Sequence, residues 1–199
     1  MKRYVIPLIA ALALCPALLA QEAGPNHGEV GVYGEMTRLR SGVNDDFWGL
    51  GGRASLNVFS KVQLEAEMTY DFSRTINEGF TNTLVNAGPS TFAASHVRIL
   101  NGLFGPKLQT GGGAWRAFVT VKGGFVDFLF DNRPATFATF TSSVEDLRNH
   151  NFDAGLYPGG GVEVYAGPVG IRLDVGDLIY FANGAHHNLR IALGPHIRF

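Results

Sequence analysis

Cysteine is nearly absent from this chain: Cys15 is the only one in 199 residues. No intramolecular disulfide can form, and a thiolate-rich metal centre is excluded. Excess charge of one sign is also missing, with 16 basic residues against 17 acidic ones. A nucleic-acid partner is therefore not expected, because the basic footprint it needs is not there. Beyond the first twenty residues no apolar run approaches the length of a membrane-spanning helix. Amphipathic helical periodicity is hard to find, and 26 glycines weigh against long helices.

What is present begins with "MKRYVIPLIAALALCPALLAQEA". Lys2 and Arg3 precede an uncharged apolar run from Tyr4 to Ala20, and Gln21–Glu22 ends it. This is the layout of a secretory signal peptide. Pro7 and Pro16 interrupt the run and argue against a membrane anchor, while Leu14 and Pro16 around Cys15 argue against lipoprotein acylation. The expected division is a signal peptide over 1–20 and one domain over 21–199, with no cysteine left in the exported part.

The rest of the chain alternates. In "KVQLEAEMTYDF", Val62, Leu64, Ala66, Met68, Tyr70 and Phe72 share one parity, while Lys61, Gln63, Glu65, Glu67, Thr69 and Asp71 share the other. A period of two sends the sets to opposite faces of a strand. The same split separates Val30, Val32 and Met36 from Glu29, Tyr33 and Glu35. It separates Trp48, Leu50, Ala54, Leu56 and Val58 from Arg53, Ser55 and Asn57. It recurs around Val97–Ile99, Trp115–Lys122, Phe152–Val164, Val169–Val175 and Leu189–Phe199, which makes eight strands. In the fourth, Val97 and Ile99 are assigned to the apolar face and Arg98 to the polar one. In the fifth the parity slips at "KGGF", and a bulge at Gly123–Gly124 is expected to put Val126, Phe128 and Phe130 on the apolar face.

Connectors alternate in length. The shorter set contains "FSK", "FGPKLQTGGGA" and "AGP"; the longer set covers roughly 38–46, 74–91, 131–149 and 178–187. Short turns at one end and long loops at the other predict an all-β fold: a transmembrane, eight-stranded, antiparallel up-and-down β-barrel. A soluble lipocalin-like barrel would bury the apolar set and expose the charges. Against it, aromatics gather near the strand ends: Phe59, Phe104, Trp115, Tyr165 and Phe199 at one rim, with Trp48, Tyr70, Phe72, Phe128, Phe130, Phe152, Tyr180 and Phe181 at the other. Two such belts suit the two membrane–water interfaces. The polar parity, facing inward, offers Glu35, Glu65, Glu67, Glu163 and Asp174 against Arg53, Arg98, Arg116, Lys122, Arg172 and Arg190 as an interior charge network. Eight strands leave room only for side chains, so these charges are expected to pair.

The leader, the eight strands and the ending "GPHIRF" together resemble the OmpA-like and OmpX-like small outer-membrane β-barrels. The resemblance implies an outer-membrane location and a monomer in contact with outer-membrane lipid or lipopolysaccharide. It also implies that Gly194, Ile197 and Phe199 form the terminal signal read by the barrel-assembly machinery. Pro195 departs from a regular strand, since it cannot donate to a ladder; a bulge or an unpaired carbonyl is expected there.

The leading functional expectation is a non-enzymatic barrel with a structural or surface role, its long loops available for adhesion. Three alternatives stand beside it. A lipid A deacylase or acyltransferase would need Ser, His and an acid in mutual reach. The loops supply Ser142, Ser143, Glu145, Asp146, His150, His186 and His187, at no recognised spacing. A narrow pore and a soluble ligand-binding barrel are the others. No cofactor is expected, and His186–His187 read as exposed loop residues rather than metal ligands.

Overall fold

The computed structural model describes residues 27–40, 44–82, 84, 91–110, 113–130, 140–144, 147 and 152–199. The leader, Cys15, Glu145, Asp146 and His150 lie outside these residues. Among the described residues there are nine strands: β1 (Gly28–Arg38), β2 (Asp46–Phe59), β3 (Val62–Asn82), β4 (Thr91–Gln109), β5 (Trp115–Phe130), β6 (Phe140–Ser142), β7 (Phe152–Ala166), β8 (Val169–Phe181) and β9 (Ala185–Arg198).

Eight of them close a barrel. Pairing runs β2-β1-β9-β8-β7-β5-β4-β3, and β2 also pairs with β3. Every contact is antiparallel between chain neighbours, except that β9 returns to β1. The end of the chain makes that closure: the Phe199 carbonyl accepts from the His27 and Gly28 amides at 2.6 and 3.0 Å, and the Phe199 amide donates back to the Gly28 carbonyl. Gly167, at φ 66°, makes the tight β7–β8 turn.

Outward residues are apolar and inward residues are polar through the lower and middle barrel. Val32, Trp48, Leu50, Phe104, Trp115, Val119, Phe152, Ile171, Leu193 and Ile197 are all at least half exposed, on every side of the wall. A soluble protein does not carry an apolar girdle of that extent. From Trp48 to Phe59, β2 rises about 36 Å at roughly 3.3 Å per residue. A tilt of about 40° brings the belt to about 28 Å, close to that of a membrane barrel. The lipocalin-like alternative requires the opposite sidedness and fails on this point.

The upper barrel differs from expectation. No bulge exists at Gly123–Gly124: β5 keeps one register with β7 from Trp115↔Val164 to Asp127↔Phe152. Val126 and Phe128 therefore point inward, both 1% exposed, and Phe130 packs against them half-buried. Val97 and Ile99 also point inward, which puts Arg98 on the outward parity of β4 and removes it from the interior network. Of the aromatics assigned to the rims, Phe128, Tyr180 and Tyr165 are interior instead. The reason is that the lumen changes character. Toward the long-loop end Leu39, Phe47, Ile76, Val97, Ile99, Leu103, Val126, Phe128, Leu178 and Tyr180 fill it as an apolar core.

Two register shifts do occur, in β2–β3 between Asn57 and Phe59 and in β3–β4 between Asp71 and Arg74. Two of the expected long loops are largely strand. The β3–β4 ladder continues to Phe80↔Thr91, and β8–β9 continues to Phe181↔Ala185. The short β6 pairs with the end of β3, and Val144 and Leu147, just after it, are buried in the apolar core. The barrel wall thus projects past the membrane belt as a two-stranded extension with a folded cover.

Pro195 makes no bulge. It keeps register with Ile171 of β8, and the β1–β9 ladder has the same register on both sides of a break opposite Val32 and Tyr33. The missing amide costs one rung on the β1 side only. Next to it, a Cβ on Gly194 would lie 2.1 Å from the Val32 carbonyl oxygen, so glycine there is what lets β9 approach β1.

Candidate functional site: the charged lumen

Inward parity alone places the charges; strand register brings them into reach. Arg53 and Glu67 face each other on β2 and β3, and Arg116 and Glu163 on β5 and β7. Glu163 and Arg172 do the same on β7 and β8. The result is a chain of alternating sign along the lumen. Arg116 reaches Glu29 at 3.2 Å, Lys107 bridges Glu29 and Glu163 at 3.3 and 2.6 Å, and Arg172 meets Glu163 at 3.5 Å and Glu65 at 2.5 Å. Lys122 then joins Glu65 and Glu67 at 2.6 and 2.7 Å, and Arg190 joins Glu67 and Glu35 at 2.5 and 2.6 Å. Asp174 branches from Arg172 at 2.6 Å and takes Arg53 at 3.5 Å.

Ten of the eleven expected network residues are brought together in this way; Arg98 is the exception. Glu29 and Lys107 are central members not in the expected set. Lys107 falls in "FGPKLQ", which reads as a turn, yet β4 runs on to Gln109 and carries Lys107 inward with no exposure. Tyrosines complete the hydrogen bonding. Tyr165 donates to Glu29 at 2.8 Å, Tyr157 donates to Asp174 at 2.7 Å, and the Tyr33 hydroxyl meets Thr69 at 2.7 Å and accepts from Arg190. Arginines lie over aromatic faces: Arg172 is 4.0 Å from the Phe118 centroid and Arg53 is 4.1 Å from that of Tyr33.

Among the described residues two groupings have metal-like spacing: Glu29, Glu163 and His196, and Glu65, Glu67 and Asp174, each with ligand atoms within 4.8 Å of one another. Side-chain cations already take those oxygens. Lys107 and Arg116 serve the first set; Lys122, Arg172 and Arg190 serve the second. A divalent ion would have to displace them, so neither set is arranged to hold one. Asp71 differs. Among the described residues no cation forms an ion pair with it, and it is fully buried beside the Glu35 carboxylate.

Among the described residues, the loop side chains weighed for nucleophilic chemistry do not converge. Ser142 donates to Glu78, which also accepts from Ser95 at 2.6 Å, and Ser143 accepts from the Gly79 amide. His186 and His187 are adjacent on β9 and so point to opposite faces. His186 stacks on Tyr180 and sits 2.7 Å from the Ala182 carbonyl, whereas His187 pairs with Asp177 outside. At the extracellular rim two ion pairs tie strand ends together, Arg38–Asp46 at 2.6 Å and Arg74–Asp45 at 2.9 Å. The guanidinium bonded to each holds both carboxyl groups below the usual carboxylate range.

No protein-family model matches the chain, and no curated protein matches its sequence. Solved structures do. Neisserial surface protein A aligns at a TM-score of 0.57 and 10% identity, covering 86% of this chain and 97% of that one. The attachment invasion locus protein Ail of Yersinia pestis, crystallised with the heparin analogue sucrose octasulfate, aligns at 0.50 and 11%, covering 87% and 97%. Eight antiparallel strands, an apolar exterior and a charged, packed lumen give this chain the fold of a small outer-membrane β-barrel.

Proposed function

We propose that the protein is a non-enzymatic, integral outer-membrane barrel whose body is a rigid post and whose working surface is its extracellular extension. The observation that carries this reading is the filled lumen. Arg190, Tyr157, Lys107 and Lys122 across the middle, and Phe47 and Phe128 above them, are each less than 2% exposed. Packing of this kind argues against solute passage, and the loop residues form no nucleophile–base pair among the described residues. The extended β3–β4 hairpin, its β6 cover and the outward-facing Thr75 and Asn77 then become the surface for contact with other cells or molecules.

The closing strand β9 carries the residues proposed to guide assembly. Ile197 and Phe199 face outward at 50% and 58% exposure on the strand that closes the barrel. They are the residues we assign to recognition by the assembly machinery, with Gly194 serving the β9–β1 approach. The test replaces 74–91 with a short turn. The shortened protein should fractionate with the outer membrane and keep a heat-dependent shift on a detergent gel, while losing adhesion of expressing cells to surfaces or to other cells. Unchanged adhesion overturns the surface role. Lipid A hydrolysis or acyl transfer by the purified protein overturns the non-enzymatic one.

A further inference from the structure

Glu35 on β1 and Asp71 on β3 lie at one height in the lumen, because each is paired with Gly49 of β2 between them. Gly49 has no side chain to keep them apart. A Cβ there would collide with Asp71 Oδ1, so the Asp71 carboxyl group leans over β2 toward β1. Glu35 leans the other way. Its carboxyl group accepts from the Thr69 hydroxyl of β3 at 3.2 Å and lies 3.5 Å from the Asn101 amide of β4. The two carboxyl groups meet in an interior where neither residue is more than 2% exposed.

Positive charge is scarce at this place. Glu29, Glu65, Glu67, Glu163 and Asp174 each have two lysine or arginine side chains within 3.5 Å. Glu35 has Arg190 alone, and Asp71 has no ion pair among the described residues. Arg190 is committed elsewhere as well: Nη1 goes to Glu67 at 2.5 Å, and Nη2 donates to the Tyr33 hydroxyl at 3.1 Å. Around Asp71, β2 supplies Gly49, β4 supplies Ile99 and Asn101, and β3 itself supplies Thr69. The charged groups acting on it are Glu35 from β1 and Arg190 from β9. No N–H or O–H group of the described residues donates to either Asp71 oxygen. Two acceptors thus lie side by side with no donor between them. Two ionised carboxylates out of water, with one shared guanidinium nearby, repel strongly, and such a pair keeps a proton instead.

We propose that Glu35 and Asp71 form a binding site for one proton, held at neutral pH in a hydrogen bond between the two carboxyl groups. The proton turns one carboxyl group into a donor and leaves the other as its acceptor, so Asp71 needs no cation. The site joins β1 to β3 directly below the register shift between Asp71 and Arg74, where β3 starts toward the extracellular extension. Losing the proton sets like charges against each other at that junction. The clasp is stable in acid and weakened by base.

Infrared spectroscopy of the full chain folded in bilayers tests this at neutral pH, where exposed carboxyl groups are ionised. The wild type should show a carboxylic-acid C=O band that Asp71→Asn lacks and that Asp45→Asn, at the exposed rim, keeps. Urea unfolding across pH gives a second readout. The folded pair holds a proton that the unfolded chain releases above about pH 4. Its stabilisation is therefore complete below that pH and is lost as the pH rises to the point where the folded pair ionises. Over that interval the wild-type unfolding constant should rise about tenfold per pH unit relative to that of Asp71→Asn. If Asp71→Asn does not fold, Asp71→Ser, also neutral, is read in its place. A wild-type spectrum without the acid band overturns the proposal, as does a pH dependence of unfolding that the neutral variant shares. So does a wild-type stability that rises with sodium at constant ionic strength and loses that response in the variant, which would give the site to a metal cation.

Discussion

The two halves of the lumen solve the same problem by opposite means. Both must fill a space only eight strands wide with side chains from the inward parity. The middle and periplasmic part does so with alternating charges, in which Arg172 alone touches Glu65, Glu163 and Asp174. The extracellular part does so with Phe47, Ile99, Val126, Phe128 and Leu178. In the membrane-embedded part, lipid claims the apolar residues for the outside, so the inside is left to polar ones that must satisfy each other. From the outer part of the belt upward the inward side chains are apolar, the favourable filling of an ordinary water-soluble sheet.

Deletions should therefore cost for different reasons in the two halves. Arg172→Met leaves up to three buried carboxylates short of a partner, so it should lower unfolding stability in detergent by about 3–5 kcal/mol. Urea titration of the folded barrel measures this, and a loss below about 1 kcal/mol would show the network to be ornamental. Phe128→Ala removes a ring from the apolar core and should cost about 3 kcal/mol through the cavity left behind. Its cost should not vary with pH between 5 and 8 on the order of 0.5 kcal/mol or more.

The boundary between the halves should respond in the opposite direction. Asp71 sits there without a cation, so Asp71→Asn should gain about 1 kcal/mol, read in the same titration; a loss would reveal a partner for the carboxylate. The smallest effect belongs to the rim. Asp45 and Asp46 are held below their ordinary values by Arg74 and Arg38. Their contribution is present above the unfolded carboxylate range and is lost as the pH falls through the lowered folded value. Exposed pairs contribute little. The acid-side loss should therefore be slight, and Asp45→Asn with Asp46→Asn should remove it.

The same division sets how far the sequence could be read. Wherever lipid is outside and charge inside, alternation is sharp, and β1, β2, β7, β8 and the lower parts of β3 and β5 were legible residue by residue. Where the lumen turns apolar, the inward parity no longer looks different from the outward one. Val126 and Phe128 then mimic a shift of phase, and Arg98 passes for an interior charge. Lys107 was hidden by the proline and glycine beside it, which signal a turn although β4 continues. Pro195 was visible as an anomaly, but only the register showed that one rung to β1 absorbs it.

The central claim is that the apolar parity faces lipid, and the two tryptophans of the chain test it. Trp48 and Trp115 are both outward, 62% and 73% exposed, at opposite rims of the belt. In bilayers containing lipids brominated at different depths along the chain, their fluorescence should be quenched most by bromines near the headgroups and less by those at the chain ends. Fluorescence unaffected by bromine at any depth, but quenched by iodide in the water, would contradict the account.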